Sequence, residues 1–216
     1  MHKPLFRKLL SDDIETEEVD PHAVGGGLLS AEREAIEGAA PSRIEQFTAG
    51  RVCSRLALGR LGVAATTPIV RGEDRAPIWP KGFVGSISHT DTWCAAAVAR
   101  RESIRSVGID LEPATPLKEA LWRRVCTPEE RERLRELPNP GLMGKILFSA
   151  KESVYKCQYS ITTQFLGFQA VEVEVGDGTF RAVFRQPAGE FEPGDELNGK
   201  FAVEDGLVAS ACELRA

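Results

Sequence analysis

The sequence predicts an α+β fold of pseudo-twofold, duplicated lobes, each a small antiparallel sheet packed by a long helix. Three observations carry this. Two segments with helical apolar spacing, one near 42–61 and one ending near 159, are each followed by short strand-like runs. Tight-turn residues separate those runs. A short helix start precedes each long segment, and the two starts resemble each other: Ser30-Ala31-Glu32-Arg33-Glu34 and Thr127-Pro128-Glu129-Glu130-Arg131-Glu132. The expected division is an irregular lead-in over 1–28, a first lobe over 29–105 and a second over 106–216. A ligand site belongs in the cleft between the lobes.

Each element follows from its residues. Gly25-Gly26-Gly27 closes the lead-in as a turn. Ser30 caps a short helix whose first turn holds Glu32 and Glu34. The long helix from Ser42 to Leu61 repeats apolar side chains at Phe47, Leu58 and Leu61 and stops at Gly62. Residues 69–82, rich in Gly, Pro and charge, read as a loop. Phe83–His89 and Trp93–Ala99 form a hairpin through Thr90-Asp91-Thr92, and Ser106–Leu111 is a third strand. Thr127-Pro128-Glu129-Glu130 is a capped helix start with proline at the first position. Pro138 and Pro140 end that helix. The second long helix begins near Gly144 or Phe148 and reaches Tyr159. Strands follow over 168–175, 179–184, 200–203 and 207–214, with turns at Gly176-Asp177-Gly178 and Asp205-Gly206.

Composition narrows the function. A net charge of −5 argues against a nucleic-acid footprint. No apolar run reaches the roughly 20 residues of a membrane span, and the N-terminus lacks the apolar core of a signal peptide. The five scattered cysteines, none spaced as metal-ligand pairs, read as buried thiols in a reducing cytoplasm.

Four groups of residues could carry chemistry. In Gly108-Ile109-Asp110-Leu111-Glu112-Pro113, strand alternation puts Asp110 and Glu112 on one face and Ile109 and Leu111 on the other. Adjacent carboxylates suit a hard divalent ion such as magnesium, or they are a solvated strand end. In Phe148-Ser149-Ala150-Lys151-Glu152-Ser153-Val154-Tyr155-Lys156, a helix sets Glu152 and Lys156 on one face with Lys151 beside them. That fits a metal–pyrophosphate complex. It also fits a capping box from Ser149 to Glu152 and an i,i+4 ion pair without function. Ser88 and His89 end a strand as phosphate ligands or as a polar turn. Arg43 and Arg51 lie two turns apart on one helix, and Arg71 and Arg75 occupy the loop. Their forks match phosphate or form a solvated surface.

Taken in order, Trp79-Pro80 through Gly85-Ser86-Ile87-Ser88-His89, then 106–113, then 148–156, resemble the larger, Sfp-type phosphopantetheinyl transferases. With Phe165-Leu166-Gly167-Phe168, the pattern is most similar to the bacterial enterobactin-type and actinobacterial subgroup. The resemblance covers residue 40 to the C-terminus and implies a monomer with coenzyme A as substrate between two lobes. It implies that Asp110, Glu112 and Glu152 ligate magnesium, or manganese in its place. Arg43, Arg51, Arg71 or Arg75, Ser88 and His89 would hold the nucleotide, with His89 near the 3′-phosphate. Lys151 and Lys156 would face the phosphates. Phe165, Leu166 and Phe168 would border the pantetheine channel or the carrier surface. The implied reaction transfers 4′-phosphopantetheine to a serine of an acidic acyl, peptidyl or aryl carrier protein, with Glu152 as base and Lys156 at the leaving phosphate. A non-catalytic nucleotide-binding module, or another magnesium-dependent phosphotransferase or diphosphate hydrolase, is the alternative. The family often has tryptophan where Phe148 stands.

Overall fold

The structure, a computed structural model, describes residues 4–24 and 27–216. The expected turn at Gly25 and Gly26 lies outside them. Among the described residues five α-helices and eight strands follow in order: β1 (Ile14–Val19), α1 (Ser30–Arg33), α2 (Pro41–Arg60), β2 (Phe83–His89), β3 (Cys94–Arg100) and β4 (Ile104–Pro113), then α3 (Glu119–Val125), α4 (Pro128–Arg135), α5 (Pro140–Thr162), β5 (Val171–Val175), β6 (Thr179–Phe184), β7 (Glu196–Glu204) and β8 (Leu207–Arg215). They form two antiparallel sheets, β1-β3-β2 and β4-β8-β7-β6-β5. Helix α2 packs on the first sheet through β3 and β1, and α5 packs on the second through β4 and β8.

The lead-in is not irregular. Leu5, Phe6, Leu9 and Leu10 are core residues, and β1 pairs with β3 from Ile14 opposite Ala99 to Val19 opposite Cys94. Acidic residues hide this strand from a propensity reading. Glu15 and Glu17 are paired with Arg60, and Glu18 accepts from the Phe6 N–H and the Trp93 indole.

The two halves repeat a structural device. Glu32 is wholly buried, accepts the Leu29 and Ile69 N–H groups, and pairs with Arg55 of α2. Glu130 is buried too, accepts the Thr127 and Val173 N–H groups, and pairs with Lys151 of α5. In each half a buried glutamate thus ties a short helix start to the following long helix and to a segment beyond it. A buried carboxylate persists only with such compensation.

The sheets meet along their edge strands, β2 and β4. Ala95, Ala97 and Ala99 of β3 share a core with Val107, Ile109 and Leu111 of β4 and with Ala209 and Ala211 of β8. The even positions of β4 turn to α5. There Gly108 permits close approach: a Cβ at this position would stand 1.9 Å from the Ser153 carbonyl oxygen and 2.7 Å from the Cys157 nitrogen. Only glycine lets strand and helix touch backbone to backbone.

Candidate active site at the seam between the sheets

The even face of β4 lies against one stripe of α5. Ser106 donates to the Cys157 carbonyl, Asp110 pairs with Lys156 at 2.7 Å, and Glu112 pairs with Lys145 at 2.7 Å. Asp110 and Glu112 therefore do share a face, with Ile109 and Leu111 buried on the other. Asp110 Oδ1 accepts from Lys156 and, at 3.2 Å, from the Ser88 hydroxyl, while Oδ2 is buried without a partner. An orphaned buried carboxylate oxygen calls for a cation or a proton.

Helix α5 starts at Pro140, so Ser149 and Glu152 are mid-helix and form no capping box. Ser149 instead meets the Ser210 hydroxyl at 2.8 Å. Burial raises the Glu152 carboxyl above its usual range. Lys156 opposes that shift, and the charges of Asp110 and Glu112 add to it. The three carboxylates thus feel one another electrostatically. Among the described residues no three His, Cys, Asp or Glu side chains close into a tight ligand cluster. Lys145 and Lys156 supply the positive charge there. The all-oxygen donor chemistry and the free Asp110 Oδ2 still fit a hard divalent ion.

Two predicted phosphate ligands have other work. The Lys151 ammonium is buried and donates to Glu130 at 2.7 Å and to the carbonyls of Val125 and Phe168 at 3.0 and 2.9 Å. Its three hydrogens are all used. Five residues of helix rotate Lys151 about 140° from Lys156, so the two cannot face one ligand. Ser88 is also buried, and its hydroxyl serves the seam: it accepts from Leu111 N–H at 3.0 Å and from Lys156 at 3.2 Å, and donates to Asp110.

The arginines separate. Arg43 donates to His89 Nε2 at 3.0 Å. That bond places the imidazole proton on Nδ1, which is buried without a partner. Burial, then Arg43 and Lys156, hold His89 below its usual pKa. Arg51 is buried, lies 4.1 Å over the Phe47 ring, and has an unpartnered Nε. Burial and the neighbouring Arg43 and Arg55 bring it down to about 10 despite Glu32. A buried guanidinium beside like charges is short of an anion. Arg75 lines a cleft of about 880 Å³ with Trp79, Ser86, Tyr155, Lys156 and Tyr159; Arg71 does not. Arg75 holds a left-handed backbone, φ 71°, and its neighbour Asp74 accepts from the Tyr159 hydroxyl at 3.0 Å.

A smaller cavity of about 170 Å³ gathers Glu152, Tyr155, Phe165, Leu166 and Phe168. Tyr155 borders both spaces and meets Phe165 edge-on at 5.9 Å. Tyr155, Tyr159 and Lys145 escaped the sequence reading. Lys145 lies seven residues before Glu152 on the same face of α5, a spacing that shows only when the helix is started at Pro140.

The chain is similar in sequence to known proteins. A family model described as the 4′-phosphopantetheinyl transferase N-terminal domain matches residues 31–99, and one for the 4′-phosphopantetheinyl transferase superfamily matches 106–204. The chain is 36% identical to the 4′-phosphopantetheinyl transferase Npt of Nocardia iowensis, covering 84% of this chain and 86% of that one. It is 40% identical to the 4′-phosphopantetheinyl transferase Svp of Streptomyces mobaraensis, over 88% and 79%. It is 33% identical to enterobactin synthase component D of Salmonella typhi, over 72% and 64%.

Proposed function

The chain belongs to the 4′-phosphopantetheinyl transferase superfamily, and from that premise we propose how the β4–α5 seam moves the phosphopantetheine arm of coenzyme A onto a serine of an apo carrier protein. The products are holo-carrier protein and 3′,5′-adenosine bisphosphate. The observation that carries this is the electrostatic coupling of Glu152 to Lys156, Asp110 and Glu112, with Lys156 bonded to Asp110 and lining the 880 Å³ cleft.

The carrier hydroxyl attacks the β-phosphate in line, and Glu152 accepts its proton. A carboxyl raised by burial sits nearer the working pH and is a better base. Lys156 offsets charge on the departing phosphate, and no covalent enzyme intermediate forms. Asp110, Glu112 and Glu152 would hold a divalent ion, magnesium or manganese, which when bound neutralises pyrophosphate oxygens. Arg43, Arg51 and His89 take the nucleotide end, where the buried unpartnered nitrogens of Arg51 and His89 await phosphate oxygens. Arg75, as the cleft-lining arginine, takes the role that Arg71 or Arg75 could fill. Leu166 and Phe168 border the pantetheine arm, and Phe165, 82% exposed, meets the carrier. Arg124 at the same cavity favours an acidic carrier.

The cleft is lined from both 29–105 and 106–216, which supports treating these as two lobes around one site. No helix of the described residues is long and apolar enough to cross a membrane. Five free, buried cysteines support a reducing cytoplasm as the place of action.

The test is transfer of a fluorescent pantetheine from a coenzyme A analogue to a panel of apo carrier proteins. Labelling with magnesium and its loss in chelator are expected. Wild-type protein that binds coenzyme A but labels no carrier would instead be a nucleotide-binding module.

A further inference from the structure

We propose that Ser88 is a positioning residue for the transfer reaction: its hydroxyl, standing where two sheet edges meet, fixes Asp110 and Lys156 in one arrangement. This rests on assigning Asp110 and Lys156 to the reaction site.

The argument begins with the edges. Strand β2 is the edge of one sheet and β4 the edge of the other. An edge strand carries backbone N–H groups without ladder partners. Along β4 two such groups, Ile109 and Leu111, are satisfied by side chains of β2 instead: Ile109 N–H donates to the Ser86 hydroxyl at 3.1 Å and Leu111 N–H to the Ser88 hydroxyl at 3.0 Å. Alternation along β2 puts both serines on the face toward β4 and Ile87 toward α2. As stitches across the seam the two serines are equivalent.

They differ in what else they touch. Ser88 alone accepts from Lys156 at 3.2 Å and donates to Asp110 Oδ1 at 3.2 Å. Its two acceptor sites and one proton are thereby all used. Asp110 Oδ1 is occupied by Ser88 and Lys156, which leaves Oδ2 as the oxygen without a partner. Without the hydroxyl, Asp110 keeps one of these two contacts and is freer to rotate, and Lys156 keeps Ile109 O and Asp110.

The Ser86 pairing supplies the control that separates stitching from positioning. Ser86→Ala and Ser88→Ala each orphan one buried N–H group, so both should lower Tm by a similar few degrees. Ser88→Ala should lower kcat more than Ser86→Ala does, by about ten- to a hundredfold for hydrogen bonds to charged groups, with the KM for coenzyme A nearly unchanged. Ser88→Thr, which keeps the hydroxyl, should recover most of the rate. If Ser88→Ala fails to fold, Ser88→Cys keeps the volume with a poor hydrogen-bonding group and should show the same kcat loss. Equal kcat for the Ser86 and Ser88 variants, after matching for stability, overturns the proposal. Asp110→Asn and Lys156→Ala run in the same assay: wild-type turnover in both would reject the site assignment itself, a failure distinct from that of Ser88.

Discussion

Replacing Gly108 by alanine tests how the site is built. The new Cβ would stand 1.9 Å from Ser153 O, 2.7 Å from Cys157 N and 2.9 Å from Cys157 Cβ. Two of these atoms are backbone, so no side-chain rotation relieves the overlap. Moving the nearest atom out to ordinary contact near 3.4 Å requires α5 to retreat by about 1.5 Å. Glu152 and Lys156 flank Ser153 and Cys157 and would travel with the helix. The 2.7 Å Lys156–Asp110 bond would then exceed hydrogen-bond length. Overpacking of this kind costs about 3 kcal/mol, equal to a fall in Tm of roughly 6–12 °C for a chain of this size. A misplacement on the order of 1 Å costs about a hundredfold in rate. Thermal melting, with turnover measured where the variant is folded, reads both. Gly199→Ala is the comparator. Its Cβ would overlap the Phe180 ring and lie 2.5 Å from Ala211 O, away from the seam, so it should lose stability yet turn over normally when folded. Wild-type Tm and turnover in Gly108→Ala would refute the close strand–helix contact as the device that sets the site.

Three further predictions concern the cations. Lys151→Ala breaks a buried pair and leaves Glu130 uncompensated, at a cost of about 3–5 kcal/mol, so Tm should fall by roughly 6–20 °C; an unchanged Tm with weakened coenzyme A binding would return Lys151 to the phosphates. His89 is held below its usual pKa by burial first and then by Arg43 and Lys156, so the unfolded chain takes up this proton before the folded one. Its contribution to stability is therefore intact above about pH 6.5, declines as pH falls below that value, and levels off under the folded pKa. Denaturant titrations of the ligand-free protein should show a shallower acid slope in His89→Gln, and equal slopes would remove His89 from the effect. His89→Ala should also weaken coenzyme A far more than its 3′-dephospho form; equal losses would reject the 3′-phosphate contact.

Much of this was legible in the sequence because local rules decided it. Alternation alone put Asp110 and Glu112 on one face of β4, and Thr127 to Glu130 forms the expected capping box. Phe83–His89 and Thr179–Phe184 fall where strand patterns and turns place them. What stayed hidden depends on distant partners. Strand β1 carries three acids, Glu15, Glu17 and Glu18, which Arg60, Phe6 and Trp93 make tolerable. Ser88 and Lys151 looked like phosphate ligands because serine and lysine beside acids are compatible with either role. Which role each takes was fixed by the seam with β4 and by Glu130, 21 residues away. Pro138 and Pro140 read as breakers in the sequence, whereas Pro140 is the first residue of α5. Ser149 and Glu152 therefore lie in the middle of the site's own helix rather than at a cap.

The most direct measurement is turnover and coenzyme A affinity in Glu152→Gln. The substitution keeps the shape of a side chain whose carboxyl is raised by burial and by Asp110 and Glu112, and removes only its charge and its capacity to accept a proton. Transfer to an apo carrier protein should fall by about 10²- to 10⁴-fold, with the protein folded and coenzyme A still bound. Near-normal turnover would contradict the assembly of Asp110, Glu112 and Glu152 into one reaction site.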